Sequence, residues 1–170
     1  GSVNTAVGGG ALGANTTASG NTAVGYGAMG ANTTGNNNTA LGSLSLDANT
    51  TGTSNTAVGR VALTTCTTGT NNVAMGVSAL EALTDGQFNT ALGVSAGGAV
   101  TTSDDNTLIG YTAGSAITTG LSHTMIGRST GGSQATGHNG VYIGNSSRSS
   151  SSSVTAEFVI GYNQVGRGAG

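Results

Sequence analysis

The chain has 170 residues, of which only ten are charged, and it contains no Lys, Pro or Trp. Four Arg against six acidic residues cannot supply the clustered positive charge that nucleic acid or an anionic membrane surface requires, so both are excluded as partners. One Cys rules out an internal disulfide framework and a cysteine-built zinc site, and no run of about 18 apolar residues exists to insert into a membrane.

Gly, Thr, Ser and Asn make up more than half of the chain, a composition that alone would allow disorder. The order of the residues argues otherwise. Asn-Thr-Ala-Val-Gly begins at Asn4 and again at Asn21, and related pentapeptides begin at Asn38, Asn55, Asn72, Asn89, Asn106, His123, Gly140 and Glu157. Every interval is 17 residues, so ten units account for residues 1–170 as a single repeat domain. Such a period is what a stack of coils needs, because each residue lies over its counterpart one coil earlier.

Numbering each unit from its leading Asn, position 5 is Gly throughout: Gly8, Gly25, Gly42, Gly59, Gly76, Gly93, Gly110, Gly127, Gly144 and Gly161. Position 4 is always aliphatic or Met, and position 3 is Ala up to Ala91. The first five units place Leu12, Met29, Leu46, Leu63 and Leu80 at position 9, and Thr-Thr-Gly turns such as Thr33-Thr34-Gly35, or close variants of them, close most units. In the fourth unit Cys66 stands where earlier units have Asn, and it reads as a small buried residue. Asp85, Asp104 and Asp105 fall in turns; they lack calcium-loop spacing and read as solvated acids.

From the sixth unit position 9 becomes Gly97, Gly114 and Gly131, while position 3 grows to Leu108, Met125, Tyr142 and Val159. His123 takes the place of the leading Asn, either as a neutral hydrogen-bonding substitute or, in a parallel trimer, as a ligand to an axial ion. His138 lies in a turn. Ser146 to Ser153, interrupted by Arg148, keeps the period and reads as a degenerate coil rather than a linker.

Seventeen residues are too few for two helices and enough for one coil with short strands. The expected fold is all-β, a β-solenoid or β-roll with the pentapeptides as a parallel ladder. At roughly 4.8 Å per coil, ten coils give a rod about 48 Å long. The position 4 aliphatics and position 9 Leu are expected to fill the lumen, with the alanine column from Ala23 to Ala91 facing neighbouring chains. The reciprocal change after Gly97 then predicts a slimmer coil and a bulkier inter-chain seam near residues 97–110.

The segments Asn21-Thr-Ala-Val-Gly-Tyr-Gly-Ala-Met and Asn89-Thr-Ala-Leu-Gly-Val-Ser-Ala resemble the head repeats of YadA-like trimeric autotransporter adhesins, and still more the repeats of some bacteriophage tail fibres. Val141-Tyr-Ile-Gly-Asn-Ser-Ser and the stretch from Glu157 to Gly168 are similar to fibre sequence that precedes a self-cleaving chaperone. The resemblance implies left-handed coils, three parallel chains, and an extracellular place on a virion or bacterial surface. It also implies that any membrane anchor, chaperone or export signal lies outside this stretch. The adhesin repeats are usually shorter than the 17-residue period here.

No nucleophile–base set, phosphate loop or metal motif stands out, so neither an enzyme nor a cofactor is expected. Tyr26, Arg60, Tyr111, Arg128 and Tyr162 share the position after the invariant Gly; Tyr beside Arg suits a cell-surface glycan or protein receptor, and ordinary surface variation is the alternative. The leading expectation is a structural fibre segment mediating attachment. An ice-binding solenoid using Thr5, Thr22, Thr39, Thr56 and Thr90, and a filament assembled end to end, are the alternatives.

Overall fold

The computed structural model describes residues 1–166; residues 167–170, the end of the domain expected from the repeat, lie outside the described residues. Its ten strands are β1 (Thr5–Val7), β2 (Thr22–Val24), β3 (Thr39–Leu41), β4 (Thr56–Val58), β5 (Val73–Met75), β6 (Thr90–Leu92), β7 (Thr107–Ile109), β8 (Thr124–Ile126), β9 (Val141–Ile143) and β10 (Phe158–Ile160). They form one parallel sheet in chain order, each residue paired with its counterpart 17 positions away: Thr22 with Thr39, Ala23 with Ala40, Val24 with Leu41. The fold is therefore an all-β solenoid, and among the described residues there is no helix.

Short strands suffice because the ladder continues around the coil. In the second coil Thr22 N–H donates to Asn38 C=O at 2.9 Å, Met29 N–H to Ser45 C=O at 3.0 Å and Thr33 N–H to Thr50 C=O at 3.0 Å. Between these links, turns close within the coil: Ala28 N–H to Gly25 C=O, Gly30 N–H to Gly27 C=O, Asn32 N–H to Met29 C=O. Such winding uses left-handed backbone. Leu12, Met29, Leu46, Leu63 and Leu80 all have φ between 48° and 53°, a conformation that costs roughly 1–2 kcal/mol per residue and persists only where packing overdetermines it.

The invariant Gly has two reasons to be Gly. At Gly59 φ is +129°, and a Cβ would stand 2.5 Å from the carbonyl oxygen of Gly76 in the next coil. No L side chain fits either condition.

The lumen corrects the expected assignment of faces. Ala23, Ala40, Ala57, Ala74 and Ala91 are fully buried inside their own chain, opposite Met29, Leu46, Leu63 and Leu80. The position 4 column points outward instead: Val7 is 57% exposed, Leu41 48% and Ile126 38%. The reason is depth. The space between the strand and the facing segment holds one large side chain per coil, so a Leu at position 9 leaves room only for a methyl at position 3.

The same geometry corrects the expected seam. Leu108, Met125, Tyr142 and Val159 enter the lumen, not an inter-chain surface. A Cβ on Gly97 would come within 2.7 Å of Leu108 Cδ1, and one on Gly114 within 2.6 Å of Leu108 Cδ2. Positions 3 and 9 thus share one space, and the large residue moves across it. Position 12 follows, from buried Asn32 and Asn49 through Cys66 to Leu83, Val100 and Ile117. The serine run Ser146–Ser153 belongs to the coil begun by β9, where Ser147 and Ser149 are buried.

Candidate functional site

The Asn column is a structural spine. Each Asn Oδ1 accepts the backbone N–H of the next coil's position 1, and each Nδ2 donates to the position 15 carbonyl of its own coil. For Asn38 these bonds are 2.9 Å from Asn55 N–H and 2.8 Å to Gly52 C=O. The pattern runs from Asn4 through Asn21, Asn55, Asn72 and Asn89 to Asn106. Asn fits because a single planar amide supplies one acceptor and one donor to two buried backbone groups, which would otherwise go unpaired.

His123 reproduces both bonds. Its Nδ1 accepts Gly140 N–H at 3.1 Å, and its Nε2 lies 2.7 Å from Gly137 C=O. An acceptor at Nδ1 and a donor at Nε2 define the neutral Nε2–H tautomer. The ring is buried, and burial holds its pKa below the ordinary 6.5 despite the bond to Gly137; His138 adds a smaller push in the same direction. Both ring nitrogens are spent on backbone groups of the same chain and leave none for an ion, which corrects the axial-ion alternative. His138 has its own task, its Nδ1 accepting Leu121 N–H at 3.0 Å.

The spine changes form below His123. Gly140 leaves space that the Tyr142 ring occupies, and Tyr142 Oη donates to Glu157 Oε2 at 3.0 Å. Burial, chiefly, pushes the Tyr142 phenol up to about 12. Glu157 therefore takes the tenth spine position as acceptor for a side chain.

A second spine was not anticipated. Thr16, Thr33, Thr50, Thr67, Thr84, Thr101 and Thr118 each donate Oγ1–H to the position 13 carbonyl of the next coil, at 3.0–3.3 Å. The Thr-Thr-Gly turns announced it: the first Thr is bonded to the stack and the second, as at Thr34 and Thr51, faces solvent.

The remaining candidates are distributed, not convergent. Cys66 is buried, and burial pushes its thiol up to about 11. Asp104 Oδ1 accepts Gln87 N–H at 2.6 Å, and Asp85 Oδ1 accepts the Thr84 hydroxyl at 3.1 Å. Among the described residues no three His, Cys, Asp or Glu side chains are grouped to hold a metal ion. In the position 6 column Tyr26, Tyr111 and Tyr162 are exposed, and the Arg128 guanidinium carbon lies 5.6 Å from the Tyr111 ring centroid. Tyr26 and Arg60 do not join them, being separated by Ser43 and by the coils that carry Val77 and Val94.

The surface with the most consistent chemistry is the outward face of the sheet. Position 2 contributes Thr in seven coils and position 4 contributes Val, Leu, Met or Ile in all ten, in strict register. Neither column contains a charged residue. Position 4 remains exposed at Val7, Leu41, Met75, Leu92, Ile126 and Ile160. The sequence signal for this face was the reciprocal change at positions 3 and 9, which means that those two columns touch and that position 4 must point away from both. Comparisons with protein-family models, curated proteins and solved structures gave no match to this chain.

Proposed function

We propose that the chain is the shaft or head segment of an extracellular attachment fibre, in which copies of the chain lie side by side through the outward sheet face. One observation carries this reading: the lumen is already filled, yet an uninterrupted aliphatic column runs along the outside. Contiguous exposed apolar surface of more than a few hundred Å² is rare on a soluble monomer and marks an interaction site. The absence of charge on this face removes the desolvation penalty that would oppose pairing it with itself. The resemblance to adhesin heads and phage tail fibres supplies the number, three parallel chains, and the setting, a virion or bacterial surface.

The test is native mass with and without Leu92→Glu. The expected result is a trimer that becomes a monomer while its β-rich circular dichroism persists. A monomeric parent chain would overturn the assembly.

The register of Thr22, Thr39 and Thr56, and of Thr90, Thr107 and Thr124, favours a second reading, a flat ice-binding array. Val73, Val141 and Phe158 interrupt that column, and Met75 and Leu92 break the regularity beside it. Thermal hysteresis from a monomer would select this reading, because a face packed against other chains cannot meet ice.

A further inference from the structure

The ten charges are sorted along the rod. Before Asn106 there is one Arg, Arg60, against Asp47, Glu81, Asp85, Asp104 and Asp105. From Asn106 to Gly166 there are Arg128 and Arg148, and the one acid, Glu157, is buried beneath Tyr142. The last four described coils therefore carry a small positive balance, two Arg against one buried carboxylate, and the local field there is opposite in sign to that of the acidic first six coils.

That field coincides with the most aromatic part of the position 6 column. Tyr111, Arg128, Asn145 and Tyr162 follow one another coil by coil, and positions 6 to 9 of these coils contain no Asp or Glu. The backbone beneath them is fixed: Ser129 N–H donates to Tyr111 C=O at 2.8 Å, Ser146 N–H to Arg128 C=O at 2.9 Å and Asn163 N–H to Asn145 C=O at 2.8 Å. Hydroxyls line the adjacent row, where Thr112 Oγ1 and Ser129 Oγ are 2.9 Å apart. Arg148 is held at its head by Asn163 Oδ1, 2.9 Å from Nη1.

We infer that the strip formed by Tyr111, Arg128, Asn145 and Tyr162 binds an acidic polysaccharide, one that carries carboxylates on its sugar rings. Each part has a chemical role. Stacking on Tyr111 limits the motion of the Arg128 guanidinium while leaving its N–H edge free for a bidentate carboxylate. The exposed ring of Tyr162 offers a flat apolar face with a polar tip, suited to the carbon–hydrogen face of a sugar. Asn145, between them, has an amide for ring hydroxyls. Successive coils set these groups at roughly 4.8 Å intervals, a repeating comb for a repeating ligand. The strip lies past the position 5 turn, off the sheet face used for assembly. The inference rests on the attachment-fibre reading, in which three such strips act together and gain by multivalency.

The test titrates the full 170-residue chain with hexagalacturonate, using maltohexaose as the neutral control. Hexagalacturonate is expected to bind in low salt, with affinity falling about tenfold in Arg128→Gln, the loss expected for one contact to a charged group, and by up to about tenfold in Tyr162→Ala, the loss expected for one aromatic stacking contact. Arg60→Gln should bind as the parent chain does. Failure of the parent chain to bind, an equal response to maltohexaose, or an equal loss in Arg60→Gln would each overturn the inference. Native mass of every variant is measured alongside, so a lost strip and a lost assembly give separate signals.

Discussion

At His123 one side chain carries a pH dependence for the whole stack. Protonation of Nδ1 removes the acceptor for Gly140 N–H, and the charged ring then sits buried beside the Gly140 backbone dipole. Because burial lowers the folded-state pKa below 6.5, the unfolded chain binds the proton more readily. The stabilising contribution is therefore complete above the ordinary value and declines as pH falls below it. Thermal melts from pH 7.5 to 4.5 should show this decline, and His123→Asn should reduce it, since Asn supplies the same acceptor to Gly140 and the same donor to Gly137. A parallel pH profile in the variant would assign the acid sensitivity elsewhere. Cys66 behaves in the opposite sense. With its thiol pushed up to about 11, it should resist thiol reagents at pH 8 in the folded protein and react after denaturation. Gly59→Val meets both a φ of +129° and the Gly76 carbonyl. It should cost several times the ~1 kcal/mol of a typical point mutation, read as a fall in melting temperature.

At the scale of the coil, the period, the strands and the Asn column were legible in the sequence, because stacking imposes identity column by column; the bonding of the Thr16-to-Thr118 column was not. The direction of each face was not. Alternation in a three-residue strand says that positions 3 and 4 are opposed; it does not say which one is inside. The size of the opposite wall decides that, and it appears only when position 9 is set against position 3. Leu108 and Gly114 make the dependence measurable. Leu108→Ala should cost about 2–5 kcal/mol by leaving a cavity, and Gly114→Leu alone about 1–3 kcal/mol by overpacking. Together they recreate the Ala-and-Leu arrangement of the first five coils, so the double variant should be more stable than the sum of the two losses. Urea denaturation of the four proteins gives the coupling directly, and simple additivity would mean that the two positions do not share a space. His123 was legible as an Asn substitute because its column was known. The Tyr142–Glu157 bond was not, since a ring from one coil fills the place of a missing side chain at Gly140 while its hydroxyl finds a partner in the coil beyond.

For the whole molecule, adjacent residues separate folding from assembly. Ala57 is fully buried in the lumen and Val58 is on the outward face of the same strand, β4. A carboxylate at position 57 has no partner and no room; Ala57→Glu should unfold the coil whether or not copies of the chain associate, because an unpaired buried charge costs several kcal/mol. A carboxylate at position 58 reaches water in a single chain. Val58→Glu should therefore retain the β-rich circular dichroism and a cooperative melt in dilute solution, yet bring like charges together wherever copies meet through the sheet face. Sedimentation of the two variants beside the parent chain reads both levels at once: aggregation or loss of structure for the first and, for the proposed trimer, a folded particle of one-third the parent mass for the second. If Val58→Glu kept the parent mass, the sheet face would not be what joins copies of the chain, and its Thr and aliphatic columns would be left facing solvent. In that event the ice-binding reading would gain the surface it requires, and thermal hysteresis would become the decisive measurement.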